Sequence, residues 1–180
     1  MADYDWASDL IDTSLVYKLG MPYKEFDINL SDVDEQFLTD VGNCNEIKNL
    51  SPRTFGPCPF PVKGNIHGLN IRFMVPLVCQ GRKDPNSKPV TVWFVVSTAS
   101  SYTCFSQKSL DAIFGEGNAT HEMYNMTIQD QKFRIQSYKS QKQFENANIL
   151  GADAMQKLKL SIVTNWSQSS FQLVQDTSRA

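Results

Sequence analysis

Histidine and paired cysteine are scarce in this chain. It has two histidines, His67 and His121, and four cysteines, Cys44, Cys58, Cys79 and Cys104, set far apart with no Cys-x-x-Cys. A closed zinc site needs four converging N or S ligands, so no metal and no other cofactor is expected. Long apolar runs are missing too. Nothing approaches the roughly 20 apolar residues that a membrane helix needs. The start, MADYDWASDLID, carries acids where a signal peptide would carry a basic and then an apolar stretch. The expectation is an intracellular protein, cytoplasmic or nuclear, with reduced thiols and no membrane partner. Five Asn-x-Ser/Thr tripeptides, at Asn29, Asn49, Asn118, Asn125 and Asn165, are silent in that setting. Excess positive charge is also lacking: the net charge is −2, which gives no reason to expect nucleic acid as a partner. There is no repeat, no coiled coil, no low-complexity tract, no P-x-x-P and no G-x-S-x-G.

What is present suffices for one domain and an extension: 180 residues, 41% of them hydrophobic and 20% charged. The charge is split along the chain. Residues 1–50 carry eleven Asp/Glu against three Lys, net −8, and residues 51–180 are net +6. An acidic arm and a mildly basic body are expected. Within the arm, Leu10, Ile11, Leu15, Val16 and Leu19 have helical spacing with Gly20 as a stop. Ser31 reads as an N-cap for a second helix with Val33, Phe37, Leu38 and Val41 on one face, closed by Gly42. Residues 51–64, SPRTFGPCPFPVKG, are dense in Pro and Gly and predict an extended connector at a domain boundary. The expected organisation is an arm over 1–50, the connector over 51–64, a β domain over 65–176 and a tail over 177–180.

From Asn65 the period shifts to that of strands. Leu69 to Cys79 predicts a strand, with Pro76 arguing for an edge or a bulge. QGRKDPNSKP is a turn cluster, and Val90 to Val96 a second strand that completes a hairpin. Ser106 reads as the N-cap of a short helix, QKSLDAIF, ended by Gly115 and Gly117. Met123 to Ile128 and Lys132 to Tyr138 form another hairpin. NILGADAMQKLKLSIVTNW predicts a short strand, a tight Gly, a brief helix and a strand, and FQLV a last strand.

Between VWFVV and YTCFS lies a small polar turn, STASS. That turn, the ILG element and the hairpin MTIQDQKFRI between them occur in one order over roughly residues 69–166. In this the body resembles a retropepsin-type aspartic protease domain, the retroviral and retrotransposon kind. The resemblance implies a mainly β, acid-protease-like closed β domain with one or two short helices, here preceded by a helical N-terminal extension. It implies that Ser97, Thr98, Ala99 and Ser100 stand where the family has its Asp-Thr-Gly turn. It implies that Ile149, Leu150 and Gly151 form the second structural element, and that Ile128, Lys132, Phe133 and Arg134 belong to a flap over a peptide cleft. Thr98 would tie two such turns together across a homodimer or heterodimer.

The departure from the family pattern carries the functional expectation. The family's reaction uses two carboxylates sharing a proton at a symmetric site, one activating water and the other polarising the peptide carbonyl. Ser97 replaces the acid, and a serine hydroxyl cannot act as a base near neutral pH. Ala99 replaces the glycine, which adds a methyl group where close backbone approach or a positive φ would favour none. Asp153 falls, by the resemblance, at the start of the second helix and away from the dyad. A nucleophilic Ser97, Ser100, Ser101 or Cys104 would need a histidine base, and both histidines lie outside the turn. The expectation is a pseudoprotease: a catalytically inactive domain that binds a protein or an extended peptide, or dimerises. Two alternatives stand beside it: an active aspartic endopeptidase that borrows a partner's acid, and a scaffold subunit that docks through its acidic arm.

Overall fold

In the computed structural model, residues 32–82, 84, 86–141 and 144–176 are described. The expected helix over Asp9 to Leu19 and the expected cap Ser31 lie outside them. The first helix, α1, spans Glu35–Cys44, and its N-cap is Asp34, whose carboxylate accepts from the Phe37 N–H at 2.8 Å. Gly42 does not close it. It lies within α1, where an added Cβ would sit 2.9 Å from the Ile47 carbonyl. Glycine therefore lets the chain after the helix fold back against it.

Nine strands and two further helices follow: β1 Val62–His67, β2 Arg72–Gly81, β3 Val90–Val96, β4 Cys104–Phe105, α2 Gln107–Phe114, β5 Met123–Ile128, β6 Asp130–Lys139, β7 Ile149–Leu150, α3 Ala152–Lys157, β8 Leu160–Asn165 and β9 Ser170–Gln175. The protein is mainly β. The strands run in the order β3-β7-β4-β6-β5-β2-β1-β9-β8, and β2 also pairs with β3. Six strands thus close into a ring, which removes most but not all of their free edge, and β1, β9 and β8 extend from β2. Most pairs are antiparallel, but β3–β7 and β4–β6 are parallel.

β3 is buried along almost its whole length. It contributes to two apolar clusters, so its sequence is a continuous apolar run rather than an alternation. Val90, Val92 and Phe94 join the ring interior with Leu77, Phe105, Leu110, Met126, Ile128 and Leu150. Trp93 and Val95 face the other way and meet Met74, Ile149 and the α1 residues Leu38 and Val41. The Trp93 indole N–H donates to the Ile47 carbonyl at 2.8 Å, satisfying its only polar group.

The connector does not part α1 from the β domain. Leu50 N–H donates to Thr91 C=O (2.7 Å), Thr91 N–H to Ser51 C=O (2.9 Å), and Arg53 N–H to Pro89 C=O (3.1 Å). This segment therefore lies along the start of β3, and β1 begins at Val62, inside the expected connector. The strand expected from Leu69 begins instead at Arg72, with Leu69 exposed in the turn before it.

Pro76 sits inside β2 opposite Trp93. On the other side of β2, β1 reaches only to Met74 and β5 only from Cys79. The proline thus occupies the gap where no strand asks for its missing N–H. Gln129, with φ of 58°, closes part of this gap: its N–H donates to Val78 C=O (2.7 Å), and its side-chain carbonyl accepts from Val78 N–H (3.0 Å). α2 forms as its sequence predicts. Ser106 Oγ accepts from Ser109 N–H at 3.3 Å, and Gly115 ends the helix at φ 92°.

Candidate functional site

The STASS turn emerges from the end of β3, beside β7. Ser97 N–H donates to Leu150 C=O (3.1 Å), Ser100 N–H to Ser97 C=O (3.3 Å), and Ala152 N–H to Ser100 C=O (2.8 Å). The fold therefore brings Ser97–Ser100 directly against Ile149–Gly151, two elements whose nearest ends, Ser100 and Ile149, are 49 residues apart in sequence. Glycine is needed at 151: an added Cβ would lie 2.4 Å from the carbonyl carbon and oxygen of Tyr102. At 99 it is not. Ala99 is exposed and is not among the positive-φ residues, so the expected strain from its methyl group is absent. Thr98 is exposed and makes no hydrogen bond among the described residues.

The local tie is made by Thr103 instead. Its buried hydroxyl donates to Asp153 Oδ1 at 2.7 Å and accepts from Gly151 N–H at 3.1 Å. Asp153 Oδ1 also accepts from Ala154 N–H at 2.7 Å, in the first turn of α3. The Asp153 carboxylate, two residues after Gly151, thus has one oxygen held by two donors and serves structure. Asn148, fully buried, plays a similar part: its amide donates to Trp93 C=O (3.1 Å) and accepts from Ser106 N–H (2.9 Å). Sequence reading singled out neither Thr103 nor Asn148. The only signal was a polar residue beside each short apolar strand.

The hairpin residues separate. Ile128, expected on a covering flap, is a core residue, fully buried and paired with Cys79. The hairpin tip is not free to cover a cleft, because Gln129 bonds to Val78 and donates its side-chain amide to Pro59 C=O at 2.8 Å. Phe133 packs on the main core. Lys132 is exposed, its N–H donating to Asp130 Oδ1 at 2.9 Å. Arg134 alone of these reaches the neighbourhood of the turn. With Tyr102, Gln136, Tyr138, Asp153 and Lys157 it lines a groove of about 730 Å³ between β6 and α3.

Neither Cys79 nor Cys104 is activated as a nucleophile. Burial, with the Asp153 charge adding to it, pushes the Cys104 thiol up, and burial pushes the Cys79 thiol well up, so both stay protonated. His67 packs edge-on against Phe37 and His121 against Tyr124. Among the described residues no three His, Cys, Asp or Glu converge as metal ligands, and no helix is long and apolar enough to cross a membrane. Comparison with protein-family models, with curated proteins and with solved structures finds no match for this chain.

Proposed function

We propose that this chain is a catalytically inactive domain of the retropepsin type that binds a protein or extended peptide, or dimerises. The observation that carries it is the turn at the end of β3: Ser97 is anchored to Leu150 with no carboxylate at its centre. Asp153, beside Gly151 in sequence, has Oδ1 occupied by Thr103 and by the start of α3. Losing a general base typically removes two to four orders of magnitude in rate. A peptide added as a strand needs backbone donors, acceptors and side-chain pockets, none of which require an acid.

Purified protein presented with a diverse peptide library from about pH 4, where a carboxylate dyad still shares one proton, to about pH 8, tests this by mass spectrometry. Retention without cleavage is the expected result. Cleavage abolished by a pepstatin-type inhibitor would overturn the inactive assignment and favour an endopeptidase with a borrowed acid. Ser97→Asp with Ala99→Gly is the companion variant, and it is expected to gain inhibitor-sensitive cleavage.

A further inference from the structure

Gln136, midway along β6, is where the ring leaves a strand edge open. Lys139 N–H donates to Glu122 C=O at 3.0 Å, so in this antiparallel pair residues 139, 137 and 135 turn their backbone groups toward β5. Residues 138 and 136 turn theirs the other way. Tyr138 N–H meets Thr103 C=O at 2.9 Å. β4, however, pairs only with Tyr138 and Lys139, and its chain departs at Tyr102 toward the STASS turn. The backbone N–H and C=O of Gln136 therefore have no strand partner among the described residues.

This open edge lies along the groove between β6 and α3, and the groove has a definite chemistry. Ile135 and Ser137 are buried, so Arg134, Gln136 and Tyr138 share the outward face of β6. Lys157 stands on the opposite wall. Arg134 donates Nε–H to Asn125 Oδ1 at 2.7 Å and meets no carboxylate among the described residues, and neither does Lys157. The groove holds one acid, Asp153, which keeps its charge but has Oδ1 engaged by two local donors, so the two cations outnumber it. Tyr102, 58% exposed, stands edge-on to Tyr138 with ring centroids 5.0 Å apart. Two unpaired cations, an exposed aromatic pair and an unpaired strand edge meet in one place.

We propose that this groove binds an extended acidic peptide carrying an aromatic side chain. Its backbone adds as a strand beside Gln136, its carboxylates face Arg134 and Lys157, and its ring packs on Tyr102 and Tyr138. This rests on the peptide-binding reading and supplies that reading with a location and a ligand class.

The probe is a fluorescent synthetic peptide, ADYDWASDLID, which copies residues 2–12 of the sequence. Three comparison peptides accompany it: the same peptide with every Asp replaced by Asn, the acidic peptide N-methylated at alternate amides, and a neutral mixed-sequence library. Anisotropy is read with the full chain. It is also read with the full chain carrying Asp3, Asp5, Asp9 and Asp12 changed to Asn, which removes competition from its own acidic start. The acidic peptide is expected to bind at least about tenfold more tightly than the Asn peptide, a difference of about 1.4 kcal/mol. Affinity should fall as salt is raised and fall again with Arg134→Glu and Lys157→Glu together, whose thermal unfolding should match the parent's. Equal binding of acidic and Asn peptides, or undiminished binding to the double variant, would overturn the proposal. Undiminished binding of the N-methylated peptide would overturn its strand-addition part. If library peptides bind and the acidic one does not, the acidic assignment fails while the peptide-binding reading stands. If no peptide binds, both fail.

Discussion

The Thr103 hydroxyl stands between Asp153 and Gly151, donating to the first at 2.7 Å and accepting from the backbone N–H of the second at 3.1 Å. One buried oxygen thereby joins the strand after the turn, the glycine that packs under it and the first turn of α3. The same contact ties up one oxygen of the Asp153 carboxylate. Asp153 is committed to holding the structure that a catalytic turn would rest on.

Removing that hydroxyl should be costly in stability. Thr103→Val keeps the shape but leaves Gly151 N–H without its partner and Asp153 with one donor fewer. An unsatisfied buried donor costs about 1–3 kcal/mol. Urea unfolding should show a lower midpoint with an unchanged slope.

Gly151→Ala should be at least as damaging, for a different reason. The new methyl would sit 2.4 Å from the Tyr102 carbonyl, which is backbone and cannot swing aside. Overpacking of this kind costs about 1–3 kcal/mol. Ala99→Gly provides the contrast: position 99 is exposed, so only a small change from added chain entropy is expected. Parallel thermal melts of the two variants check the pair.

Asp32 should make the fold sensitive to acid. Burial raises its carboxyl, but the hydrogen bonds from Arg72 and Asn70 and the Arg72 charge outweigh burial and hold it below the ordinary aspartate value. The Arg72 pair is bidentate, with contacts of 2.7 and 3.0 Å. A carboxyl lowered on folding contributes stability that is complete above its unfolded value, near about pH 4, and drains away as pH falls through the lowered folded value. Asp32→Asn should therefore be less stable than the parent at neutral pH, and the gap should narrow as pH drops below about 4. Denaturant midpoints across that range measure it.

β8 ends the strand order, and its outer edge is unpaired among the described residues. Asp176 N–H donates to Lys159 C=O at 2.9 Å, so residues 161, 163 and 165 face β9, while Leu160, Ile162 and Thr164 turn their backbone groups outward. An open edge with exposed Val163 and Trp166 beside it invites pairing with a second chain. Light scattering over a dilution series should detect self-association that Thr164→Pro weakens. That change deletes an outward N–H without touching a bond to β9. Unaltered association in a folded Thr164→Pro variant would rule out β8 as the contact.

Local features were readable in the sequence wherever a short stretch of chain fixes its own geometry. Ser106 caps α2 and Gly115 ends it because a hydroxyl acceptor and a residue free to take positive φ decide helix ends. β3, the ILG strand, the brief helix and β8 all appear where apolar periodicity sets them. The juxtaposition of the STASS turn with Gly151 rests on the hydrogen bonds of Ser97 to Leu150 and of Ala152 to Ser100, which no local pattern encodes.

Long-range pairing decided the rest. Ile128 has the same local pattern as a flap residue, but β5 pairs with β2 and buries it, and the side chain of Gln129 fixes the hairpin tip. The Pro-rich connector carries few donors of its own, yet Arg53 within it and Leu50 just before it donate to carbonyls at the start of β3 and bind the segment to the domain. The roles of Thr103 and Asn148 depend on partners 48 and 55 residues away, and no local pattern encodes such distant contacts. The sequence by itself determined most of the strands, the ends of α2 and the presence of a serine at position 97. Only the closing of the ring decided which hydroxyls are buried, which strand edges remain open, and that Arg134 and Lys157 line one groove.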